Sequence, residues 1–161
     1  MRRIGEAVAV ALAIGVVGGA PALADEVFSG CTIVGTNGND VLYGTSGPDY
    51  ICGLGGNDRI YARGGSDQVS TGSGNDRAYG GSGSDDITGE GGRDRIYGGS
   101  GVDDLSGGVG KDRVFGEGAT DFIDVAHGPG ERDRANGGSG SEECTSEPDD
   151  RRVSCEAGFS G

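Results

Sequence analysis

The 161-residue chain has no Trp, one Met, one His and four Pro, and aromatic residues make up only 6% of it. Hydrophobic residues of all kinds reach 33%, too few for a conventional globular core of large interlocking side chains. Basic residues are scarce as well: 13 Lys and Arg against 26 Asp and Glu give a net charge of −13. A nucleic acid attracted through its phosphates is therefore not an expected partner, whereas cations are. With a single His, a zinc centre is not expected. The chain also lacks a Cys-x-x-Cys redox pair and an EF-hand loop, and Gly110-Lys111 lacks the following Ser or Thr of a phosphate loop. His127 has no Ser or Cys partner in a recognisable setting, so the chain is read as a non-enzyme.

Glycine, by contrast, occurs 37 times, which excludes a helical bundle because each Gly costs a helix about 0.5–1 kcal/mol relative to Ala. The first segment stands apart. Arg2 and Arg3 precede an apolar run from Ala7 to about Val17, and Ala22-Leu23-Ala24 supplies a small-x-small cleavage site. Residues 1–24 are read as a signal peptide cut after Ala24, so the product is secreted. A membrane anchor would need about 20 apolar residues, and Gly15, Gly18, Gly19 and Pro21 interrupt this stretch. No later segment could span a bilayer as a helix. Removing Arg2, Arg3 and Glu6 makes the mature chain one unit more negative still.

Self-similarity governs the chain from Gly35 onward. Asp recurs at 40, 49, 58, 67, 76, 85, 94, 103, 112 and 121, a spacing of nine that never slips. Two residues after each Asp stands an aliphatic: Leu42, Ile51, Ile60, Val69, Ala78, Ile87, Ile96, Leu105, Val114 and Ile123. Two residues before it stands Gly, except at Ala119. The unit is G-x-x-G-x-D-x-U-x, where U is aliphatic and Asp holds position six. Gly72, Gly81, Gly99 and Gly108 add a second Gly at position two. Departures are Ala62 and Thr71 at position one, Pro48 at position five and Ala119 at position four.

On these residues, about 35–124, the chain resembles the RTX (haemolysin-type) family of calcium-binding nonapeptide repeats. The resemblance implies an all-β fold, a right-handed parallel β-roll in which the first six residues of each unit form a calcium-binding turn, the last three a short strand, and two units complete one coil. Larger relatives combine such repeats with catalytic or toxin portions; this sequence has an N-terminal signal and repeats alone.

Two units per coil are also legible without the resemblance. Position nine carries Tyr43, Tyr61, Tyr79, Tyr97 and Phe115 in every second unit and Cys52, Ser70, Thr88, Ser106 and Asp124 in the others. At position seven Arg59, Arg77, Arg95 and Arg113 alternate with Gln68, Asp86 and Asp104. Since side chains alternate across a strand, position eight points inward and positions seven and nine outward, giving one Arg/Tyr face and one acidic face. The pattern survives an insertion at Val125–Pro129: Arg134 falls on the Arg face and Glu143 on the acidic face, while Glu142 replaces Asp and carries no expected calcium site.

Ten inward aliphatics are a thin interior for about ninety ordered residues, and columns of carboxylates about 4.8 Å apart add repulsion. The bare chain is not expected to fold. Calcium, which takes six to eight oxygen ligands from carboxylates and carbonyls, resolves both problems and couples binding to folding. Five stacked loops on each of two edges leave four gaps apiece, so about eight ions are expected, with the ten Asp residues as their ligands. The plainer reading, a solvated acidic face with turn-forming Asp beside Gly, does not require the fixed offsets to Gly and an aliphatic.

All four Cys lie in the exported portion and bracket the repeats. Three connectivities are possible. Cys144 with Cys155, across a polar Pro148-Asp149-Asp150 turn, is favoured; Cys31 with Cys52 follows, although Cys31 falls on an Asp position and Cys52 on a strand end, which strains disulfide reach. Both are read as end staples of a solenoid. The organisation is then a signal peptide (1–24), an N-terminal cap (25–34), calcium-binding repeats (35–124), an irregular continuation (125–144) and a C-terminal cap (145–161). The function read from the sequence is a secreted calcium-binding structural or adhesive module, whose Arg/Tyr face offers a site for a polyanionic or glycan ligand. The plainer account of that face is a Tyr-covered sheet whose charges discourage aggregation. Other readings are an accessory fragment of a secreted hydrolase or toxin, and a disordered calcium buffer. Oligomeric state is left open.

Overall fold

The computed structural model describes residues 30–126, 132–146, 148 and 150–157; the expected signal segment and His127 lie outside them. Every regular element among the described residues is a strand, and every pairing is parallel. One sheet orders three-residue strands, Tyr50–Cys52, Gln68–Ser70, Asp86–Thr88, Asp104–Ser106, Phe122–Asp124 and Glu143–Thr145, with Ile33–Val34 and Glu156–Ala157 at its ends. The facing sheet runs Val41–Tyr43, Arg59–Gly64, Arg77–Ser82, Arg95–Ser100, Arg113–Gly118, Arg134–Ser139 and Arg151–Val153. Successive units therefore alternate between sheets, and two nonapeptides make each coil of a β-solenoid. A small third sheet joins Ser73–Gly74, Gly91–Gly92 and Val109–Gly110.

The register follows from the repeat. Ile60 pairs with Ala78, Ala78 with Ile96 and Ile96 with Val114, so position eight stacks on position eight. Because alternate strand residues face opposite sides, these side chains line the interior: Ile51, Ile60, Val69, Ala78, Ile87, Ile96, Leu105, Val114 and Ile123 are all buried. Ala135 and Cys144 continue the row beyond the insertion, while Leu42, in the first coil, is half-buried.

One expectation needs correction. The five inner strands on the Arg side, from Arg59–Gly64 to Arg134–Ser139, are six residues long, not three, because positions one to three of the following unit go on pairing, as Arg63 with Gly81 and Gly99 with Glu117. Position two there is left-handed in both glycine and non-glycine form, Gly81 at φ 108° and Arg63 at φ 79°. Arg63 is held in that conformation by its guanidinium, which donates to the Gly44 carbonyl at 3.0 Å and lies over the Tyr43 ring at 5.1 Å. Position four demands Gly for a harder reason. At Gly92, φ is 131° and a Cβ would stand 1.5 Å from the Gly74 carbonyl oxygen one coil away. Ala119, the exception, lies at φ 77° instead of the 129° of Gly101.

Both expected disulfides are present. Cys31–Cys52 has a Cα–Cα distance of 6.0 Å and Cys144–Cys155 one of 5.8 Å, inside ordinary disulfide reach. Ile33 pairs with Ile51, so Cys31 does stand where a unit would carry Asp, and the bridge ties the first rung to the next coil. At the other end Cys144 takes the place of a position-eight aliphatic and belongs to the core.

Candidate metal centres

Position six precedes each strand, at the turn into it. The ten aspartates consequently fall into two columns, one along each edge of the solenoid. Asp40, Asp58, Asp76, Asp94 and Asp112 form one; Asp49, Asp67, Asp85, Asp103 and Asp121 form the other. All but Asp40, which is half-buried, are buried. From Asp58 and Asp67 onward each carboxylate is tied to the coil before it through Oδ1, the first rungs being the Asp40 and Asp49 N–H groups at 2.8 Å. The Asp58 N–H donates to Asp76 Oδ1 at 2.7 Å, Asp76 to Asp94 at 2.8 Å, and Asp94 to Asp112 at 2.8 Å. The other edge repeats the ladder, Asp67 to Asp85 at 3.0 Å and Asp85 to Asp103 at 2.9 Å.

The second carboxylate oxygen is treated differently. Oδ2 of Asp58, Asp67, Asp85, Asp94, Asp103 and Asp121 is buried and receives no hydrogen bond. Burial pushes the Asp58, Asp67 and Asp103 carboxyls up to about 6 and Asp94 to about 7, against the pull of the backbone N–H and with a further push from the aspartates one coil away on each side. A buried oxygen without a donor costs free energy on the order of 1–3 kcal/mol, more when charged. A whole column of ionised carboxylates is stabilised only by a compensating positive charge, a proton or a cation.

The surroundings of Oδ2 supply oxygen donors. A Cβ added to Gly80 would stand 2.4 Å from Asp85 Oδ2 and 2.5 Å from the Gly98 carbonyl oxygen of the next coil; at Gly116 the distances are 2.2 Å to Asp121 Oδ2 and 2.6 Å to the Gly137 carbonyl oxygen. Position one must be bare for carboxylate and carbonyl to close on the loop together. Among the described residues no three acidic, His or Cys side chains converge, so backbone carbonyls would have to supply much of any ligand shell. An all-oxygen donor set with a carboxylate fits a hard cation of calcium's kind and not a softer transition metal. The fit is poorer where Ala62 and Thr71 place buried side chains at position one, and the Thr71 hydroxyl takes up the Gly89 carbonyl at 2.8 Å.

Asp40 and Asp49 behave otherwise. Asp40 Oδ2 accepts from the Thr36 N–H at 2.6 Å and the Thr36 hydroxyl at 2.8 Å; Asp49 Oδ2 accepts from the Thr45 N–H at 2.6 Å and hydroxyl at 3.0 Å. Their carboxylates are already satisfied. At the far end the structure extends the columns beyond the ten. The Asp112 N–H donates to Asp133 Oδ1 at 2.7 Å, and Asp133 to Asp150 at 3.0 Å. Glu142, 2% exposed with Oε1 buried and unbonded, follows Asp121 on the other edge. Asp133 was readable from Asp133-Arg134-Ala135, which keeps the offset to an inward residue; Asp150 has no such tag.

Outside the columns, the aromatic row is a continuous stack. Ring centroids of Tyr61, Tyr79, Tyr97 and Phe115 are 4.9–5.0 Å apart in succession, with interplanar angles of 4–8°. The rings thus spend their faces on one another.

A family model described as RTX calcium-binding nonapeptide repeat (4 copies) matches overlapping segments of the chain, 34–69, 44–78, 70–105, 79–114 and 97–126. Neither the curated proteins nor the solved structures supply a match.

Proposed function

The chain belongs to the RTX calcium-binding nonapeptide-repeat family, and from that membership we propose that it is a secreted structural module whose folding is coupled to calcium and whose Arg/Tyr face is adhesive. The observation that carries the calcium coupling is the set of buried, unbonded Oδ2 atoms on Asp58, Asp67, Asp85, Asp94, Asp103 and Asp121. Each such oxygen is tolerable when a divalent ion takes the place of the missing donor, and ions held between coils tie each loop to its neighbour. Ions are assigned first to the inner loops that keep Gly at position one, those of Asp58, Asp85, Asp94, Asp103, Asp112 and Asp121; the ten-loop stack accommodates about eight in all. The two disulfides suit an oxidising, extracellular setting, and residues 1–24 are proposed as the leader that would take the chain there.

The role of the protein's own groups is to hold the site open: Oδ1 is locked by the ladder, Gly keeps position one bare, and the aliphatic row keeps water from the interior. Calcium supplies the charge that the carboxylates need. The test is a calcium titration of the chain from residue 25 onward, with disulfides intact, after exhaustive chelation. Strand circular dichroism should rise with calcium and fall again on adding chelator. A chain that keeps its full strand signal and melting temperature without metal overturns the reading.

A further inference from the structure

Eight of the 13 Lys and Arg residues fall between Arg93 and Arg152, although the chain as a whole carries −13. The register explains where they go. On the Arg side, Arg95 pairs with Arg113, Arg113 with Arg134 and Arg134 with Arg151, so position seven is a column of cations about 4.8 Å apart. Position five on the same edge changes character along the solenoid. In the first coils it is Asn39, Asn57 and Asn75, which satisfy one another: Asn57 Nδ2 donates to Asn39 Oδ1 at 3.2 Å and Asn75 Nδ2 to Asn57 Oδ1 at 2.9 Å. From there on it is Arg93, Lys111 and Arg132. Two rows of cations thus flank the aspartate column, and a groove opens between them, lined by Lys111, Arg113, Arg132, Arg134 and Arg151 above the buried Asp112 and Asp133. Arg134 Nε is buried there without a hydrogen-bond acceptor.

In-register like charges destabilise a sheet, and the Oδ1 atoms of Asp112 and Asp133 are already bound by backbone N–H groups. The geometry points to this groove as the binding site for a linear anionic polysaccharide, one carrying a carboxylate or sulfate on most sugar residues. Cations repeat along the groove at the strand spacing, close to the length of one sugar residue in an extended chain. Recognition is by charge alone. The aromatic faces beside it are occupied by the Tyr and Phe stack, so neither sugar stacking nor the base stacking that single-stranded nucleic acids require is on offer. The assignment rests on the adhesive reading of the Arg/Tyr face and locates it at the C-terminal coils. It also makes binding dependent on calcium, because the metal-free chain repels any polyanion.

The probe is a fluorescent heparin oligosaccharide, measured by anisotropy in saturating calcium against a neutral maltodextrin and a single-stranded oligonucleotide of equal charge. Heparin should bind, more weakly as salt rises. Arg113→Gln/Arg134→Gln/Arg151→Gln should weaken it about tenfold or more, while Arg59→Gln/Arg77→Gln, on the same face but beside the Asn ladder, should change it less than about twofold. Calcium-induced strand signal, recorded on every variant, separates the two readings: its absence condemns the calcium-coupled fold. With that signal intact, absent heparin binding, equal loss in both variants, or equally tight oligonucleotide binding overturns the groove assignment.

Discussion

The first coil and the inner coils spend the same residue in opposite ways. Asp40 and Asp94 hold the same place in the repeat and both are joined through the Oδ1 ladder on their edge, yet Thr36 closes two hydrogen bonds on Asp40 Oδ2 whereas Asp94 Oδ2 has none. The loops differ accordingly. Gly38 and Gly47 are absent from the left-handed set that holds Gly56, Gly65, Gly74 and the position-four glycines after them, and their N–H groups turn back to the Thr36 and Thr45 hydroxyls at 3.1 Å. A loop with no repeat loop stacked before it satisfies itself with a Ser/Thr turn; an inner loop stays open and leaves its carboxylate oxygen bare. Self-sufficiency at the end and dependence inside are what a metal-coupled solenoid needs, because the end coil must hold without a full set of neighbours.

Removing metal should set the two regions furthest apart. Chelation of the disulfide-intact chain should abolish amide-exchange protection from Ile60 to Leu105 and leave the longest-lived residual protection near Cys31–Cys52; uniform protection across both regions would erase the distinction. Next in size, Asp94→Asn in saturating calcium should lower stability by about 1–3 kcal/mol in urea unfolding, and Asp40→Asn by less than about 1 kcal/mol. Equal losses would show that both carboxylates do the same job.

A pH series sharpens the same point. Burial raises the Asp58, Asp67 and Asp103 carboxyls from 3.8 to about 6 and Asp94 to about 7 in the folded state, and raises Asp76, Asp85 and Asp121 in the same direction, so the folded metal-free chain binds more protons than the unfolded one. Without calcium, stability should be greatest below pH 4 and decline as pH rises through 7; with calcium the trend should invert, because protons then compete for the same oxygens. Circular dichroism in chelator at pH 4.5 and 7.5 checks the first half, and calcium midpoints at both pH values the second. Smallest is Thr45→Val. It should cost about 0.5 kcal/mol with or without calcium and leave the number of bound ions unchanged, as counted by native mass spectrometry.

Much of the fold was legible in the sequence because the repeat does not slip between Asp40 and Asp121. The spacing of the ten Asp residues, the inward row from Ile51 to Ile123 and the alternation of Tyr61 with Ser70 placed the two sheets, the core and the outer faces, and the Cys pairs stand where the ends required them. The remainder depends on what lies above and below a residue. Thr36 and Thr45 look like ordinary position-two residues until the first coil is seen to have no repeat loop before it. Asp133 and Asp150 join their column across separations of 21 and 17, which no count by nines reveals. The long strands of the Arg side arise from pairing between positions one to three, a backbone matter that side-chain periodicity does not report. The cation groove was hidden for another reason: Arg93, Lys111 and Arg132 are unremarkable along the chain and form a row only when every second unit is read vertically.

The lateral bonds of the inner coils join residues separated by 18, and this fixes a quantum of length. Excising eighteen residues, such as 77–94, reconnects Arg to Arg, Tyr to Tyr and Asp to Asp, and yields a shorter rod with the same two surfaces. Excising nine slides every downstream strand onto the opposite side, setting arginines among the acidic residues and cutting the ring stack in two. A cut made within the strands or the aspartate turns therefore keeps both surfaces only when it removes whole coils.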